Sequence, residues 1–381
     1  MDIAGLRACT THCLKAYDLA CVLGNHTVMN NRITRIIPLL ICLAARPCAA
    51  QKGSWLMEER GYYDPILAEP RAAQTEVLFP ARAASFPFAV NDRQGTVWDI
   101  SVGHEFPIVG FETNKSANSP TGVPAGKFGV GLWFPLSFHM IEDMGKDPSN
   151  PILDTDYRFS GLVKAQWGLR DNAAWWSSAH VGAKFQFGHE STHLGDEFTL
   201  NALHTHFADF LRVNVSYEYY DAGASFEPNV GKYGRHQIKL RGGDIWLWRP
   251  DQGWYDRELL QPFGRFIAGS KRNHEPYVQA EWYRQPDGAS RLGYIVSADV
   301  RDRTIYQYAP APDATRTNPS EPTEWSTNLM AGVRQVRSGP GVLGKITPTY
   351  YARAYYGVNP SGQFRSQSGF YVFGVGVQFG F

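Results

Sequence analysis

Apolar and polar residues alternate along most of the chain after residue 95, and no stretch there sustains the 3.6-residue period of an amphipathic helix. Successive side chains of a β-strand point to opposite faces, so this alternation predicts strands with one apolar and one polar face. Twelve segments follow the pattern: 97–105, 128–138, 157–170, 179–190, 212–220, 236–248, 262–268, 276–284, 291–302, 325–336, 346–358 and 369–381. We therefore expect an all-β protein.

The polar faces of these strands carry long charged side chains in mid-strand, such as Lys164 and Lys184. The dry interior of a soluble β-sandwich does not accept such groups without partners. Aromatic residues also cluster near strand ends, where a membrane barrel has its aromatic girdles. Because lipid offers the backbone no hydrogen bonds, a chain with no apolar helix crosses a bilayer only as a closed sheet. The pattern predicts a transmembrane antiparallel up-and-down β-barrel of about 12 strands.

The last strand, GFYVFGVGVQFGF, alternates strictly and ends on an aromatic residue, Phe381. In this it resembles the C-terminal strand of bacterial outer-membrane β-barrel proteins. The resemblance implies a location in the bacterial outer membrane and contact with outer-membrane lipid. It also implies that the barrel-assembly machinery recognises the strand that ends at Phe381.

The stretch 29–50 has the layout of a secretory signal peptide. Two arginines precede the apolar run 36–45, and Cys48-Ala49-Ala50 offers a small-residue cleavage site before Gln51. The apolar run is too short to span a bilayer, which takes about 20 helical residues. We therefore predict export, with a mature chain that begins near Gln51.

The rest of the chain divides around this signal. Residues 1–28 have no role in the layout, so we interpret them as a mis-annotated or extended N-terminus, with a longer natural leader as the alternative. Residues 51–95 fit no strand cleanly and could form a periplasmic extension, an interior plug or an added strand. The barrel itself is predicted over residues 96–381.

Three details of the strand assignment are in tension with a simple barrel. Pro135 and Pro348 fall inside strands that have no free edge, and Gly242-Gly243 interrupts the alternation, which predicts a bulge. Counting back from a periplasmic C-terminus places the long stretch 191–211 on the periplasmic side, where barrels have short turns. This indicates a miscounted strand between residues 220 and 270, or a pair there that is not a hairpin.

Charge and cysteine content narrow the chemistry. The formal net charge is +1, which argues against an obligatory nucleic-acid partner. All five cysteines precede residue 50, so the barrel region has no thiol for a disulfide, a metal site or a nucleophile. We expect no cofactor and no metal site.

The string His189-Glu190-Ser191-Thr192-His193 has the H-E-x-x-H spelling of zinc proteases. In those enzymes the motif lies on a helix, where both imidazoles share a face and reach one zinc ion. Here it continues an alternating strand that runs through Phe185 and Phe187. The strand pattern therefore argues against a protease and places His189, Ser191 and His193 together on the lipid-facing side, at one rim.

A histidine two residues before a serine on a barrel strand resembles the His-x-Ser of outer-membrane phospholipase A and related lipid hydrolases. The resemblance implies that Ser191 is a nucleophile and His189 its general base, with a third group fixing the imidazole tautomer. Asn201 and Asp196 are candidates for that group, whereas Asn214 falls on the wrong face. Thr192-His193 stand where the phospholipase has Asn-Gly, so the match is partial.

The stretch HESTHLGDEF also resembles a His-x-Ser-Ser-His-Leu-Gly-Asp-Glu segment of an uncharacterised bacterial barrel family, which has no established activity to transfer. The alternative to catalysis is a polar rim loop in which His193, Asp196 and Glu197 are binding residues that hold water, neighbouring groups or a cation.

On the predicted inward face, basic residues outnumber acidic ones. The basic set is Arg158, Lys164, Lys184, Arg212, Lys239, Arg241, Arg301, Arg334 and Arg353, and the acidic set is Glu218, Glu281 and Asp299. An open interior with this bias would favour anions. A barrel of this size can also be filled by charged side chains that pair across it. We therefore predict an outer-membrane barrel, either a narrow anion-leaning pore or a closed barrel, with acyl hydrolysis of phospholipid or lipid A as the alternative activity.

Overall fold

The computed structural model describes seventeen stretches of the chain: 53–56, 62–70, 72–83, 97–113, 125–144, 152–169, 176–195, 212–213, 215–231, 235–248, 252–255, 262–268, 274–287, 291–308, 323–336, 346–365 and 367–380. They fall into two compact units, of which the first is Met1–Leu56 with Phe111–Asn118 and the second Met57–Gly110 with Ser119–Phe381. The described part of the first unit is strand β1 (Gly53–Leu56) and residues 111–113. The predicted signal peptide lies outside the described residues.

The second unit is built around one antiparallel sheet that closes on itself. Its strands are β2 (Thr75–Ala83), β3 (Val97–Thr113, the last three residues belonging to the first unit), β4 (Phe128–Asp143), β5 (Ile152–Leu169), β6 (Trp176–Leu194), β8 (Val215–Val230), β9 (His236–Trp248), β12 (His274–Arg284), β13 (Leu292–Thr304), β15 (Thr323–Gln335), β16 (Thr347–Gly357) and β17 (Phe370–Gly380). Around the ring the order is β3-β2-β17-β16-β15-β13-β12-β9-β8-β6-β5-β4, and β4 pairs with β3 to close it. The predicted 12-strand up-and-down barrel is confirmed.

Four short strands form a separate sheet outside this ring. They are β7 (Arg212–Val213), β10 (Gln252–Tyr255), β11 (Pro262–Ala268) and β14 (Tyr306–Tyr308), in the order β14-β11-β10-β7. The strand predicted at 262–268 therefore exists with those bounds, but it is not a barrel strand. Among the described residues, no helix is both long enough and apolar enough to span a membrane.

The strand that the sequence analysis missed is β2. Pro80 interrupts its alternation, and the run Val77-Leu78-Phe79 is apolar on both faces. Pro80 is accommodated because the pairing of β2 with β17 shifts register there, with Phe373 opposite Arg82 and Gly374 opposite Pro80. The residue left unpaired by the shift is Ala81, and the ladder of β2 with β3 covers only Glu76–Leu78. Pro80 therefore lies beside a bulge, where a residue that cannot donate a hydrogen bond is tolerated. The predicted strand number was thus right because one omission and one excess cancelled.

Because 262–268 is not a barrel strand, the long stretch 191–211 no longer falls at the end of the barrel that should have short turns. The connection 195–214 now lies at the end of the barrel opposite the end of β17. The same end carries three further long connections, 84–96, 249–273 and 305–322, whereas 114–127 joins β3 to β4 at the other end. We call it the long-loop end, and the predicted miscount between residues 220 and 270 is confirmed.

The two faces of the wall differ as the alternation predicts. On β5, Phe159, Val163 and Trp167 point outward and are 42–50% exposed, whereas Ser160 and Lys164 point inward and are at most 4% exposed. Water or lipid therefore meets an apolar wall, and the polar side chains are enclosed within the barrel.

The predicted faces of β8 are wrong. Tyr217 and Tyr219 point inward and are buried, so Glu218 lies on the outer face. The tyrosine hydroxyls explain this, because they find polar partners inside: Arg365 donates to the hydroxyl of Tyr217 and Gln186 to that of Tyr219. A tyrosine combines an apolar ring with a polar tip and suits a polar interior.

The predicted bulge at Gly242-Gly243 is also wrong, because both residues pair in continuous register with β8 and β12. The glycines have a packing role instead. A β-carbon at Gly243 would overlap the ring of Tyr277.

The two prolines that fall inside predicted strands are accommodated differently. The β4–β5 ladder is interrupted at Phe134-Pro135, whereas Pro348 pairs opposite Phe379 near the start of β16.

Residues 62–70, which we call the inner segment, contain no strand and pack against the inward face of the barrel. Tyr62, Tyr63, Ile66, Leu67 and Ala68 are at most 3% exposed. The backbone of the segment is held by side chains of the wall: Leu67 N donates to Glu281 Oε2 (2.6 Å), Ala68 N to Ser297 Oγ (3.1 Å), and Asn328 Nδ2 to Ala68 O (2.8 Å).

A second segment enters the barrel from the long-loop end. Residues 358–365, the crossing loop, follow β16, include a short 3-10 helix (Gly362–Phe364), and reach the inward face of strands on the opposite side. Gly362 N donates to the carboxylate of Asp156 (3.3 Å), and Arg365 forms an ion pair with Glu275. The interior is therefore occupied by two segments as well as by its own side chains.

Candidate functional site

A polar patch interrupts the apolar outer wall near the long-loop end of strands β6 and β8. Antiparallel pairing places His189 opposite Glu218 and Ser191 opposite Ser216. All four side chains share the outer face, as the alternation through Phe185 and Phe187 predicts for the two on β6. Directly opposed residues on one face have β-carbons about 4.5–5.5 Å apart, so these groups are within reach of one another.

The central member of the patch is His189, whose two ring nitrogens meet different partners. Its Nε2 lies 3.3 Å from Ser216 Oγ, and its Nδ1 lies 3.8 Å from Glu218 Oε1. The imidazole side chain is 27% exposed and the Glu218 side chain 35%. A serine at Nε2 and a carboxylate at Nδ1 is the order of groups in a serine hydrolase triad.

The second serine of the patch has its own histidine. Ser191 Oγ lies 3.1 Å from His193 Nε2, so the hydrogen bonds of His189 and Ser191 go to different partners. Both residues nevertheless lie on the outer wall at one rim, where the sequence analysis places them. Asp196, Glu197, Asn201 and Asn214 lie outside the described residues.

Aromatic rings surround the patch. The ring of Phe159 lies 5.1 Å from that of His189, and the ring of Tyr157 lies 5.7 Å from that of His193. Tyr220, two residues after Glu218, lies 5.0 Å from Phe187. A ligand at the serines would therefore meet an apolar and aromatic surface on the side away from the long loops.

The H-E-x-x-H residues do not form one cluster. His189 and His193 face outward, whereas Glu190 is fully buried on the inward face, where Arg158 Nε lies 2.8 Å from its carboxylate. Within the described ranges, no group of three or more His, Cys, Asp or Glu side chains is arranged to hold a metal ion.

Most of the predicted lumen cations lie inside the barrel, and each has a partner there. Arg241 Nη2 meets Glu227 (2.9 Å), Arg301 Nε meets Asp299 (2.7 Å), Arg334 Nε donates to Thr349 Oγ1 (3.1 Å), and Arg353 Nε donates to Asn328 Oδ1 (3.0 Å). Lys184 bridges Glu69 of the inner segment (3.1 Å) and Asp221 of the wall (2.8 Å).

Arg212 is the exception among the predicted lumen cations. It belongs to β7, which pairs with β10 in the small sheet outside the barrel. The barrel strand begins only at Val215, where pairing with Thr192 starts, so Arg212 is not part of the strand whose alternation assigned it to the lumen.

Sequence reasoning missed Ser216 and Glu218, since it assigned both to the inward face. Their spacing carried a usable signal: Ser216-x-Glu218 has the same two-residue step as His189-x-Ser191, so both pairs present two polar groups on one face. Recognising that they meet requires the register of β6 against β8.

Comparison with known proteins provides the following similarities. Residues 170–255, which include the patch, match the model of a family described as "Protein of unknown function (DUF1207)". No curated protein matches the chain. Among solved structures, outer membrane phospholipase A from Escherichia coli is 11% identical, with a TM-score of 0.41, covering 85% of this chain and 95% of its own. The transport unit of the autotransporter AIDA-I from Escherichia coli is 10% identical, with a TM-score of 0.39, covering 84% of this chain and 93% of its own.

Proposed function

We propose that this protein is an outer-membrane barrel that hydrolyses acyl esters of membrane lipids on its outer wall. The observation that carries the proposal is the order Ser216 Oγ, His189 Nε2, His189 Nδ1, Glu218 Oε1, with contacts of 3.3 Å and 3.8 Å. Polar groups that face the lipid side of a barrel carry a desolvation cost. A site for lipid chemistry explains why they stand there.

The roles follow from the geometry. In the tautomer that carries its proton on Nδ1, His189 accepts the proton of Ser216 Oγ while that oxygen bonds to the ester carbonyl carbon. Glu218 stabilises the imidazolium that results. The tetrahedral intermediate collapses as His189 gives the proton to the leaving alcohol, and water activated by His189 then releases the fatty acid from Ser216. The contact of His189 Nδ1 with Glu218 is longer than a hydrogen bond, and we expect it to shorten when substrate binds, as catalytic contacts do.

Ser191 has two possible roles in this proposal, and they differ in outcome. Its position opposite Ser216 makes its hydroxyl a donor to the developing oxyanion. Its contact with His193 also makes it an alternative nucleophile, as the resemblance to the phospholipase implies.

The test uses the full chain refolded in detergent micelles, with release of fatty acid from phosphatidylethanolamine and from lipid A as two separate assays. We expect Ser216→Ala and His189→Gln each to reduce turnover by about 10³-fold or more. Ser178→Ala is the matched control, because Ser178 lies on β6, the strand of His189, at its other end, and its hydroxyl accepts a hydrogen bond from Asn229. Full activity in Ser216→Ala together with loss of activity in Ser191→Ala would identify Ser191 as the nucleophile. Absence of release from both lipids would overturn the proposal.

The other function predicted from the sequence is a narrow pore that favours anions. Conduction needs a continuous path, yet the inner segment and the crossing loop both occupy the interior, and the cations named above have partners. We therefore expect no steady single-channel current from the intact protein in planar bilayers. A steady current that prefers anions, and loses that preference in Arg241→Glu, would favour the pore instead.

A further inference from the structure

A small cavity lies inside the barrel between the inner segment and the crossing loop. Its volume is about 20 Å³, and it touches Pro70 at the end of the inner segment and Arg365 of the crossing loop. The walls come from strands β5, β6, β8, β9, β12 and β13. This space is separate from the outer patch, which lies on the other face of the same strands.

The cavity is lined by more cations than anions. Four arginines and two glutamates reach it: Arg158, Arg301, Arg303 and Arg365, with Glu190 and Glu275. Three of the arginines are paired, Arg158 with Glu190, Arg365 with Glu275, and Arg301 with Asp299. Both glutamates of the lining are thus already engaged.

Arg303 is the fourth arginine, and it differs from the others. It points inward from β13, is 4% exposed, and has Nε and Nη1 without a hydrogen-bond partner. No carboxylate within the described ranges forms an ion pair with it. An enclosed guanidinium that lacks a counter-charge is expensive, with an effective cost of several kcal/mol per ion.

We propose that this cavity binds one small monovalent anion, of the size of chloride, on the guanidinium of Arg303. An N–H group of a guanidinium gives an anion a charge-assisted hydrogen bond, and Nε and Nη1 of Arg303, which lie on different edges of the group, each offer one. Tyr217 lines the same cavity, and its hydroxyl accepts a hydrogen bond from Arg365. A water molecule would fit but would leave the charge of Arg303 uncompensated.

Cavity size selects the class of anion. A volume of this kind must exceed about 10–15 Å³ to hold one water, so about 20 Å³ admits a single ion of similar size. A phosphate is larger than this space, so the volume of the cavity favours one small anion.

The test replaces chloride by bromide and locates it by its anomalous scattering in crystals of the full chain. We expect one bromide peak at hydrogen-bond distance from Arg303 Nε or Nη1. In Arg303→Met the peak should disappear, whereas Arg284→Met, which removes an exposed arginine at the short-loop end, should leave it. Density for water alone at Arg303, or a bromide peak that persists in Arg303→Met, would overturn the proposal.

A solution measurement covers the case in which no crystals form. The apparent melting temperature in detergent is followed as chloride replaces gluconate at constant ionic strength. Binding to the folded state alone raises the melting temperature with ligand concentration. We expect a rise for the wild-type chain and for Arg284→Met, and none for Arg303→Met. Equal rises in all three proteins would contradict a site at Arg303.

Discussion

Strand β6 carries polar residues on both of its faces, and the two sets are held in different ways. On the inward face, Lys184, Glu190 and Thr192 are buried, and Lys184 bridges two carboxylates. On the outward face, His189 and Ser191 are partly exposed on an otherwise apolar wall. The inward groups fill and neutralise the interior, whereas packing of the barrel gives no reason for the outward ones. The comparison teaches that the role of a polar residue on a barrel strand depends on whether its side chain points into the barrel or out of it.

The largest effect should come from the inward face. Lys184→Met leaves Glu69 and Asp221 buried without the cation between them. Removing one partner of a buried ion pair destabilises a protein by about 3–5 kcal/mol. We expect that loss in urea unfolding of the refolded barrel, measured by tryptophan fluorescence. Lipid hydrolysis by the fraction that stays folded should be retained.

Exposed ion pairs provide the control for Lys184. Arg235 meets Asp287 at 3.8 Å, with both side chains more than 40% exposed. Arg235→Met should change stability by less than about 1 kcal/mol. Equal effects of the two substitutions would break the distinction between the filled interior and the surface.

A smaller effect concerns Glu69, the inner-segment partner of Lys184. Burial by itself would raise the pKa of Glu69, but Lys184, Arg241 and Arg301 lower it to about 2. The folded pKa is below the ordinary value of 4.5, so the stabilisation is complete above pH 4.5 and is lost as the pH falls toward 2. The stability difference between the wild-type chain and Glu69→Gln should shrink over that window. A difference independent of pH would contradict an ionised Glu69.

The fold could be predicted because its chemistry repeats along each strand. Lys184 and Phe185 are neighbours in the chain, and that single step takes the side chain from the interior to the outer wall. The exceptions are local. Pro80 concealed β2 because its tolerance depends on a register shift against β17, a contact between residues almost 300 positions apart. Glu218 was assigned to the interior by its charge, although the hydrogen-bonded tyrosines Tyr217 and Tyr219 occupy that face.

The candidate site could be predicted only in part, for a similar reason. The outward direction of His189 and Ser191 follows from their own strand. The meeting of His189 with Ser216 depends on the register of β6 against β8, two strands joined through the connection 195–214. A connection of that length does not fix register in the way that a two-residue hairpin does. The triad order was therefore visible only in three dimensions.

The outward face offers the next effect in size. Glu218→Gln keeps the shape of the third group but removes the charge that stabilises the His189 imidazolium. We expect turnover of phospholipid to fall by about 100-fold, with little change in KM, because the charge acts mainly in the transition state. Stability should change by less than about 1 kcal/mol, since Glu218 is partly exposed. A large loss of stability with normal turnover would assign Glu218 a structural role, as on the inward face.

The smallest effect, and the one that separates the two serines, should come from Ser191→Ala. If Ser191 donates to the oxyanion, its loss removes one partly exposed donor, and turnover should fall by about 10-fold at unchanged KM. If Ser191 is the nucleophile with His193 as base, the same change should abolish turnover and Ser216→Ala should not. His193→Gln distinguishes the cases again, because the donor role needs no base at His193. Activity unaffected by either substitution would leave Ser216, His189 and Glu218 as the complete catalytic set.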